Sequence, residues 1–331
     1  MPSNRRFRAW TVAAVLAGSF AACAAPGRTP APAAAASGGV VLERFGDGVF
    51  TTGAWDFFVA LSPDGEEAFF CRANGSFSHF TILQTRRRGD GWAPPRMASF
   101  SGRWSDADPH YTPDGRRIFF ISNRPVSGDT AASAYDVWFV EREGDGWSAP
   151  RRLEGPVNGP GTEWSPSPAA NGNLYFGTVR EGGRGGNDLY VARWTGAGYA
   201  EPENLGDSIN TARGEVEPWI APDESYLVFS GQARADGAGG FDLYVSERVG
   251  GVWGKARPLA ALNTPAYEFN PSVSPDGRWL YFSSTRSGFD GPPPPAPLTY
   301  AELQRRLLEP GNGLGDIYRV ELRALGIGAA R

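Results

Sequence analysis

Five acidic residues, Asp56, Asp106, Glu163, Glu215 and Glu268, recur at one register of the chain. Each stands seven residues before the proline of a turn or, for Glu163, before the equivalent Ala170. An arginine ends the apolar run after each turn: Arg72, Arg124, Arg180, Arg234 and Arg286, with Arg234 displaced by two positions. Asn158, Asn210 and Asn263 lie five residues before the last three acids. Carboxylates gathered around an axis can bind a cation, a sugar or a peptide terminus. Two of them about 5–10 Å apart with separated pKa values can also cleave a glycosidic bond. Pairing with arginine works against that second use, because a neighbouring guanidinium holds a carboxylate in its ionised form and removes the general acid. It also works against calcium, which takes six to eight oxygens. Arginine–carboxylate pairs across neighbouring strands would recur simply because the strand pair recurs. The candidate ligand-binding set is therefore Asp56, Asp106, Glu163, Glu215, Glu268, Arg124, Arg180 and Arg286, with no catalytic residue and no metal assigned.

Other chemistry is thinly represented. No nucleophile elbow or metal-ligand cluster is visible. Gly182-Gly183-Arg184-Gly185-Gly186 precedes a strand rather than a helix, so it lacks the helix N-terminus of a phosphate cradle. His79 and His110 are isolated in sequence. No cofactor is implied. Trp55, Trp104, Trp164 and Trp219 lie near the acids, where they suit packing between repeats and, on loops, stacking against a sugar or peptide.

The elements that must position these residues come from an internal repeat of roughly fifty-three residues. Its turns read Ser62-Pro63-Asp64-Gly65, Thr112-Pro113-Asp114-Gly115, Ala221-Pro222-Asp223-Glu224 and Ser274-Pro275-Asp276-Gly277, with Ala170-Asn171-Gly172 as a degenerate copy. Proline presets φ, aspartate bonds its own backbone and glycine accepts positive φ, so each is a tight turn between strands. An aromatic run comes after each, as in Ile118-Phe119-Phe120 and Trp279-Leu280-Tyr281-Phe282. A third strand opens Asp136-Val137-Trp138, Asp188-Leu189-Tyr190, Asp242-Leu243-Tyr244 and Asp316-Ile317-Tyr318; in the first repeat it falls near Phe80-Thr81-Ile82-Leu83 without the aspartate. Fourth strands begin near Trp92, Trp147, Tyr199 and Trp253. Four antiparallel strands make a propeller blade. The last repeat lacks its fourth strand, which Val40 to Phe45 can supply, closing the ring and removing both sheet edges. The expectation is an all-β, five-bladed β-propeller over residues 40–322, closed by an N-terminal strand.

The Ser-Pro-Asp-Gly turn, the aromatic strand, an arginine such as Arg286 and the subsequent Asp316-Ile317-Tyr318 together resemble the TolB-type, WD-repeat-like propeller family. The likeness covers about residues 40–322. It implies an envelope protein acting as an interaction platform. The same repeats form the propeller of prolyl oligopeptidases, but no hydrolase domain comes after this one, so peptidase activity is not carried over.

Composition agrees with an all-β ring: 44 glycines, 28 prolines and 11 tryptophans serve turns and blade packing. A net charge of −4 gives no basic footprint for nucleic acid. The N-terminus reads as a signal peptide over residues 1–22, with Arg5, Arg6 and Arg8 before an apolar stretch from Trp10 to Phe20. Phe20-Ala21-Ala22-Cys23 resembles a bacterial lipobox, which makes Cys23 the expected lipidation site. Residues 23–39, rich in Ala and Pro, read as a tether. Cys71 reads as a small buried hydrophobe. The last blade carries an insertion, 287–315, whose segment Leu298 to Leu308 reads as a short helix and would emerge on the acidic face, either as a lid or partner-binding element or as a decorative, partly disordered loop. Residues 323–331 form a tail. The sequence thus predicts an exported, lipid-anchored propeller on the periplasmic face of the envelope. It would bind an unidentified protein, peptide or glycan without catalysis. The alternative is a glycan-active enzyme using axial carboxylates.

Overall fold

The computed structural model describes residues 40–126 and 134–328. The signal peptide, Cys23 and the tether expected over 1–39 lie outside the described residues, as do 329–331 at the end of the expected tail.

Why each repeat folds as a hairpin is visible at its turn. Ser62 Oγ donates to Asp64 Oδ1 at 2.5 Å, the Glu66 amide donates to the same oxygen at 3.0 Å, and Gly65 takes φ +73°. Thr112, Asp114 and Gly115 repeat the arrangement. The fourth turn puts Glu224 at φ +59° where the others use glycine. Bonds from Asn173 Nδ2, the Tyr175 hydroxyl and Arg248 to its carboxylate hold it there and tie the third repeat to the fourth.

The turns join inner strands Trp55–Leu61, Asp106–Tyr111, Glu163–Pro168, Gly214–Ile220 and Glu268–Val273 to second strands Glu67–Ala73, Arg117–Ser122, Leu174–Thr178, Tyr226–Gln232 and Trp279–Ser284. Third strands run over Phe80–Arg88, Asp136–Glu143, Asp188–Ala192, Phe241–Val249 and Asp316–Glu321. The outer strand of the first, second and fourth blades is split into two short pieces, such as Gly91–Trp92 and Arg96–Met97. Pro94 and Pro95 occupy that gap, and Pro150 the corresponding one, because a residue without N–H cannot continue a ladder.

Each inner strand contacts the next around the circle, and the fifth returns to the first. Five antiparallel sheets thus form a five-bladed β-propeller. Glu43–Arg44 completes the last blade, with Glu43 opposite Arg319 and Arg44 opposite Tyr318, as the closure argument predicts. The core lies between blades. Phe70, Phe120, Phe176, Phe229 and Phe282, one per second strand, are all fully buried, and Cys71 packs beside Phe69 and Ile82.

The insertion forms one helix, α1 (Tyr300–Leu308), opened by a Thr299–Glu302 capping box. None of its residues is buried. Asn312 Nδ2 donates to the Gly53 carbonyl at 3.0 Å, and a Cβ on Gly53 would overlap the Leu308 carbonyl. The segment is therefore seated against the loop that leads into the first blade.

Candidate functional site

The five repeated acids are fully buried, and each is held by its own blade. Asp56 Oδ2 accepts the Thr52 amide at 2.7 Å and the Thr52 hydroxyl at 2.6 Å, while Arg72 Nε meets Oδ1 at 2.6 Å. Asp106 takes Ser101 Oγ and Arg124 Nη2. Glu215 takes the Thr211 amide and hydroxyl, with Arg234 at 3.5 Å. Glu268 takes the Thr264 amide and hydroxyl, Ser284 Oγ and Arg286 at 3.2 Å. Glu163 is the loosest: it accepts the Gly159 amide, Arg180 stands 3.8 Å away, and its Oε2 has no partner among the described residues.

The arginines are fixed a second time. Arg72, Arg124, Arg180, Arg234 and Arg286 lie 5.2–5.9 Å from the buried phenylalanine of their own second strand. Four of them also cover the aromatic of the third-strand motif, Trp138, Tyr190, Tyr244 or Tyr318. Asn158, Asn210 and Asn263 act between blades: each side-chain amide accepts from the N–H and donates to the C=O of a third-strand residue of the preceding blade, namely Val137, Leu189 and Leu243. In the third, fourth and fifth blades acid, arginine, asparagine and third-strand aromatic thus make one repeated staple.

Two expectations need correction. Arginine pairing does not depress every acid: burial outweighs the guanidinium and raises Asp56, Glu215 and Glu268, and it pushes Glu163 up to about 7. The acids also do not converge on the axis. A blade presents its two faces to neighbouring blades, so an inner-strand side chain in regular register points between blades and not down the channel.

Residues that leave that register do point down it. Every inner strand carries a bulge two residues after its acid. The residue there takes a left-handed backbone: Phe58 at φ +56°, Asp108 at +54°, Ser165 at +46°, Glu217 at +57° and Asn270 at +50°. In four blades the next residue is Pro109, Pro166, Pro218 or Pro271, which cannot donate to the ladder. Positive φ at Phe, Ser and Glu carries strain on the order of 1–3 kcal/mol each, which five blades of packing must overcome.

These five residues meet on the axis. Asn270 of the fifth blade reaches Asp108 of the second, a blade it does not adjoin, with Nδ2 at 3.4 Å from Oδ1. Ser165 Oγ donates to Asp108 Oδ2 at 2.7 Å. The Asn270 amide and Ser230 Oγ donate to Glu217 Oε2 at 2.8 and 2.6 Å. Neither carboxylate has an arginine partner among the described residues. Burial raises Asp108 to about 6; burial, then the Asp108 charge, raises Glu217 to about 7. Asp108 is 4% exposed, whereas Glu217 is half-buried, so the pair reaches solvent through the glutamate. Between pH 6 and 7 the pair holds a proton that ordinary carboxylates would have released.

Sequence reasoning passed over this column because its residue types differ. The available signal was position: the residue before proline in Asp106-Ala-Asp-Pro, Glu163-Trp-Ser-Pro, Glu215-Val-Glu-Pro and Glu268-Phe-Asn-Pro.

The loop-face mouth is aromatic. Trp55 packs on Phe77 at 4.7 Å, Phe57 and Phe77 approach Phe269 of the last blade, and Tyr135 lies 5.3 Å from Trp164. Trp55, Phe77, Tyr135 and Trp164 keep part of their surface exposed. Trp104 is half-buried under Arg103. Trp219 is not at this mouth: lying beyond the bulge, it lines a cavity at the opposite, turn face. Among the described residues no group of three His, Cys, Asp or Glu is placed to hold a metal ion, and no helix is long and apolar enough to cross a membrane.

Fold and site together define a five-bladed β-propeller with an axial carboxylate pair under an aromatic mouth. No protein-family model and no curated protein sequence matches the chain. Among solved structures it is similar to TolB from Acinetobacter baumannii (12% identity, TM-score 0.45, 80% of this chain and 53% of that one). The chain thus spans about half the length of that TolB. It is also similar to an alpha-L-arabinofuranosidase from Lactobacillus brevis (14% identity, TM-score 0.49, 76% and 89%). A gluconolactonase from Xanthomonas campestris gives 13% identity and a TM-score of 0.45, over 85% and 89%. These likenesses carry no argument about activity.

Proposed function

We propose that this protein is an exported, non-enzymatic propeller that serves as a binding module at the cell envelope. Its loop-face mouth is the platform for a protein, peptide or glycan. The observation that carries this reading is the division of labour at that mouth. The five acids and their arginines are consumed by the frame, while Trp55, Phe77, Tyr135 and Trp164 stay partly exposed above it. Flat aromatic surface beside a polar frame whose carboxylates bond within their own blades suits stacking against sugar rings or peptide side chains. The insertion seated at Gly53, with Leu307 and Leu308 exposed, extends the same surface. Lipid attachment at Cys23 through the 23–39 tether would hold this face near the membrane.

The test is a titration of the protein, monitored by tryptophan fluorescence, with defined cell-wall oligosaccharides and short aromatic or proline-rich peptides. Saturable quenching that Trp164→Ala and Trp55→Ala abolish supports the platform. A Cys23→Ser chain should leave the membrane fraction for the soluble one if the anchor is correct.

A second reading has one observation in its favour: among the described residues Asp108 and Glu217 lack arginine partners, and both have raised pKa values, as a glycoside-cleaving pair would. Against it, each carboxylate is already bonded by Ser165, Ser230 or Asn270. Release of nitrophenol from nitrophenyl glycosides by the wild type, lost in Glu217→Gln, would replace the platform with this enzyme.

A further inference from the structure

The insertion of the last blade ends where it begins. The Gly288 amide donates to the Gly311 carbonyl at 2.9 Å, and Ser287 and Asn312 pair as an isolated bridge across the same neck. The prolines inside it therefore separate no two elements, unlike those of a proline-rich spacer. They form a run, Pro292-Pro293-Pro294-Pro295-Ala296-Pro297, in which every residue is exposed. No hydrogen bond joins 291–298 to the rest of the described chain. Proline fixes φ at about −65° and pushes the residue before it into extended backbone, so the run is a preformed polyproline II segment. Aromatic-lined surfaces bind such segments, because little conformational entropy is left to lose.

A surface of that kind lies on the same loop face. Trp55, Phe77, Phe80, Tyr135 and Trp164 succeed one another from the first blade to the third, with consecutive ring centroids 4.7, 4.9, 6.0 and 5.3 Å apart. Phe80 is buried, and the other four keep part of their surface exposed, as one pair at each end. Six residues of polyproline II span about 19 Å, enough to follow this row. The neck of the insertion stands at the first ring: Asn312 holds the Gly53 carbonyl, and a Cβ on Gly315 would lie 3.0 Å from the Trp55 ring. The run does not lie on the row of its own molecule, since all six of its residues are exposed.

We propose that the proline run of one molecule docks on the aromatic row of a second copy of this chain. Arm and row share one face, so a twofold pairing of those faces engages both contacts at once. Two short contacts made together hold far more tightly than either alone. The pairing rests on the loop-face mouth being a binding platform, and it names what that platform takes.

Sedimentation equilibrium of the full protein, from micromolar to millimolar, should show monomer passing into dimer. A synthetic peptide of residues 289–298 should dissociate the dimer and quench the tryptophan fluorescence of the monomer. The same peptide with serine in place of its prolines should do neither. A chain carrying Pro292→Ser, Pro294→Ser, Pro295→Ser and Pro297→Ser, all at exposed positions, should be monomeric, and so should Trp164→Ala. Mixed, these two variants should associate about ten- to a hundredfold more weakly than the wild type, because one contact of the two is restored. A protein that stays monomeric at millimolar concentration, or a dimer untouched by the proline variant, would overturn the proposal. So would peptide binding without dimerisation, which would give the row to a proline segment of another protein. Oligosaccharide binding by a strictly monomeric protein would overturn this pairing and leave the platform standing. The wild-type sedimentation with and without peptide decides even if a variant does not fold.

Discussion

Asp106 and Asp108 stand two residues apart on one inner strand, both buried, and do opposite things. Asp106 lies in regular register, points between blades and is joined to Arg124 and Ser101. Asp108 sits at the bulge, turns to the axis and, among the described residues, is held by neutral donors from other blades. The same contrast holds in every repeat. The column that keeps its chemistry, Asp or Glu five times over, is frame. The column that changes, Phe58, Asp108, Ser165, Glu217 and Asn270, gives the axis its individual character. Repetition within a propeller marks what a blade needs, and variation marks what the molecule can do with its centre.

The comparison breaks first at the frame. Arg234 is 7% exposed, covers Tyr244 at 4.1 Å and faces the buried Glu215. Arg234→Ala should cost about 3–5 kcal/mol in denaturant unfolding, because a buried charge loses its partner. A loss below about 1 kcal/mol would show that the staple is ornamental.

The axis predicts a smaller, pH-dependent effect. Glu217 has a higher pKa folded than unfolded, so the native state binds the extra proton. Stability on its account is greatest below about pH 4.5, declines as pH rises, and is fully lost above about pH 7. Asp108 adds the same sign between about pH 4 and 6. Glu217→Gln should therefore raise stability at pH 8 by about 1–3 kcal/mol and flatten the decline. An unchanged pH profile in that variant would remove the proton from the axis.

The smallest stability effect belongs to the mouth. Trp164 is half-buried and packs on Tyr135, so Trp164→Ala should cost only about 1–2 kcal/mol. Its effect on ligand quenching should be complete. Loss of stability on the scale of Arg234→Ala would make that tryptophan frame as well.

Much of this architecture was legible in the residues. The Pro-Asp-Gly turns and the third-strand Asp-Leu-Tyr motif locate the hairpins, because few residues satisfy those backbones. Closure by Glu43 and Arg44 came from counting strands against the rule that edges must be covered. The partnership of each acid with its own arginine came from hairpin geometry. Direction escaped. Strict alternation takes an inner strand as regular, and a bulge rotates the side chains beyond it. It moves Trp219 from the loop face to the turn face and turns Glu217 to the axis. The raised pKa of Glu163 escaped for another reason: it depends on how far burial outweighs an arginine 3.8 Å away, which no spacing encodes.

The most direct test sets Asp106→Asn beside Asp108→Asn at pH 8 and measures unfolding free energy. Asparagine is already the axial residue of the fifth blade and tolerates a left-handed backbone, so neither variant introduces a shape the fold rejects. Asp106→Asn should lose about 2–4 kcal/mol, because the Arg124 guanidinium loses its buried carboxylate. Asp108→Asn should be neutral or stabilising, because it removes a buried charge that no arginine among the described residues faces. Equal losses in the two variants would contradict the division between frame and axis.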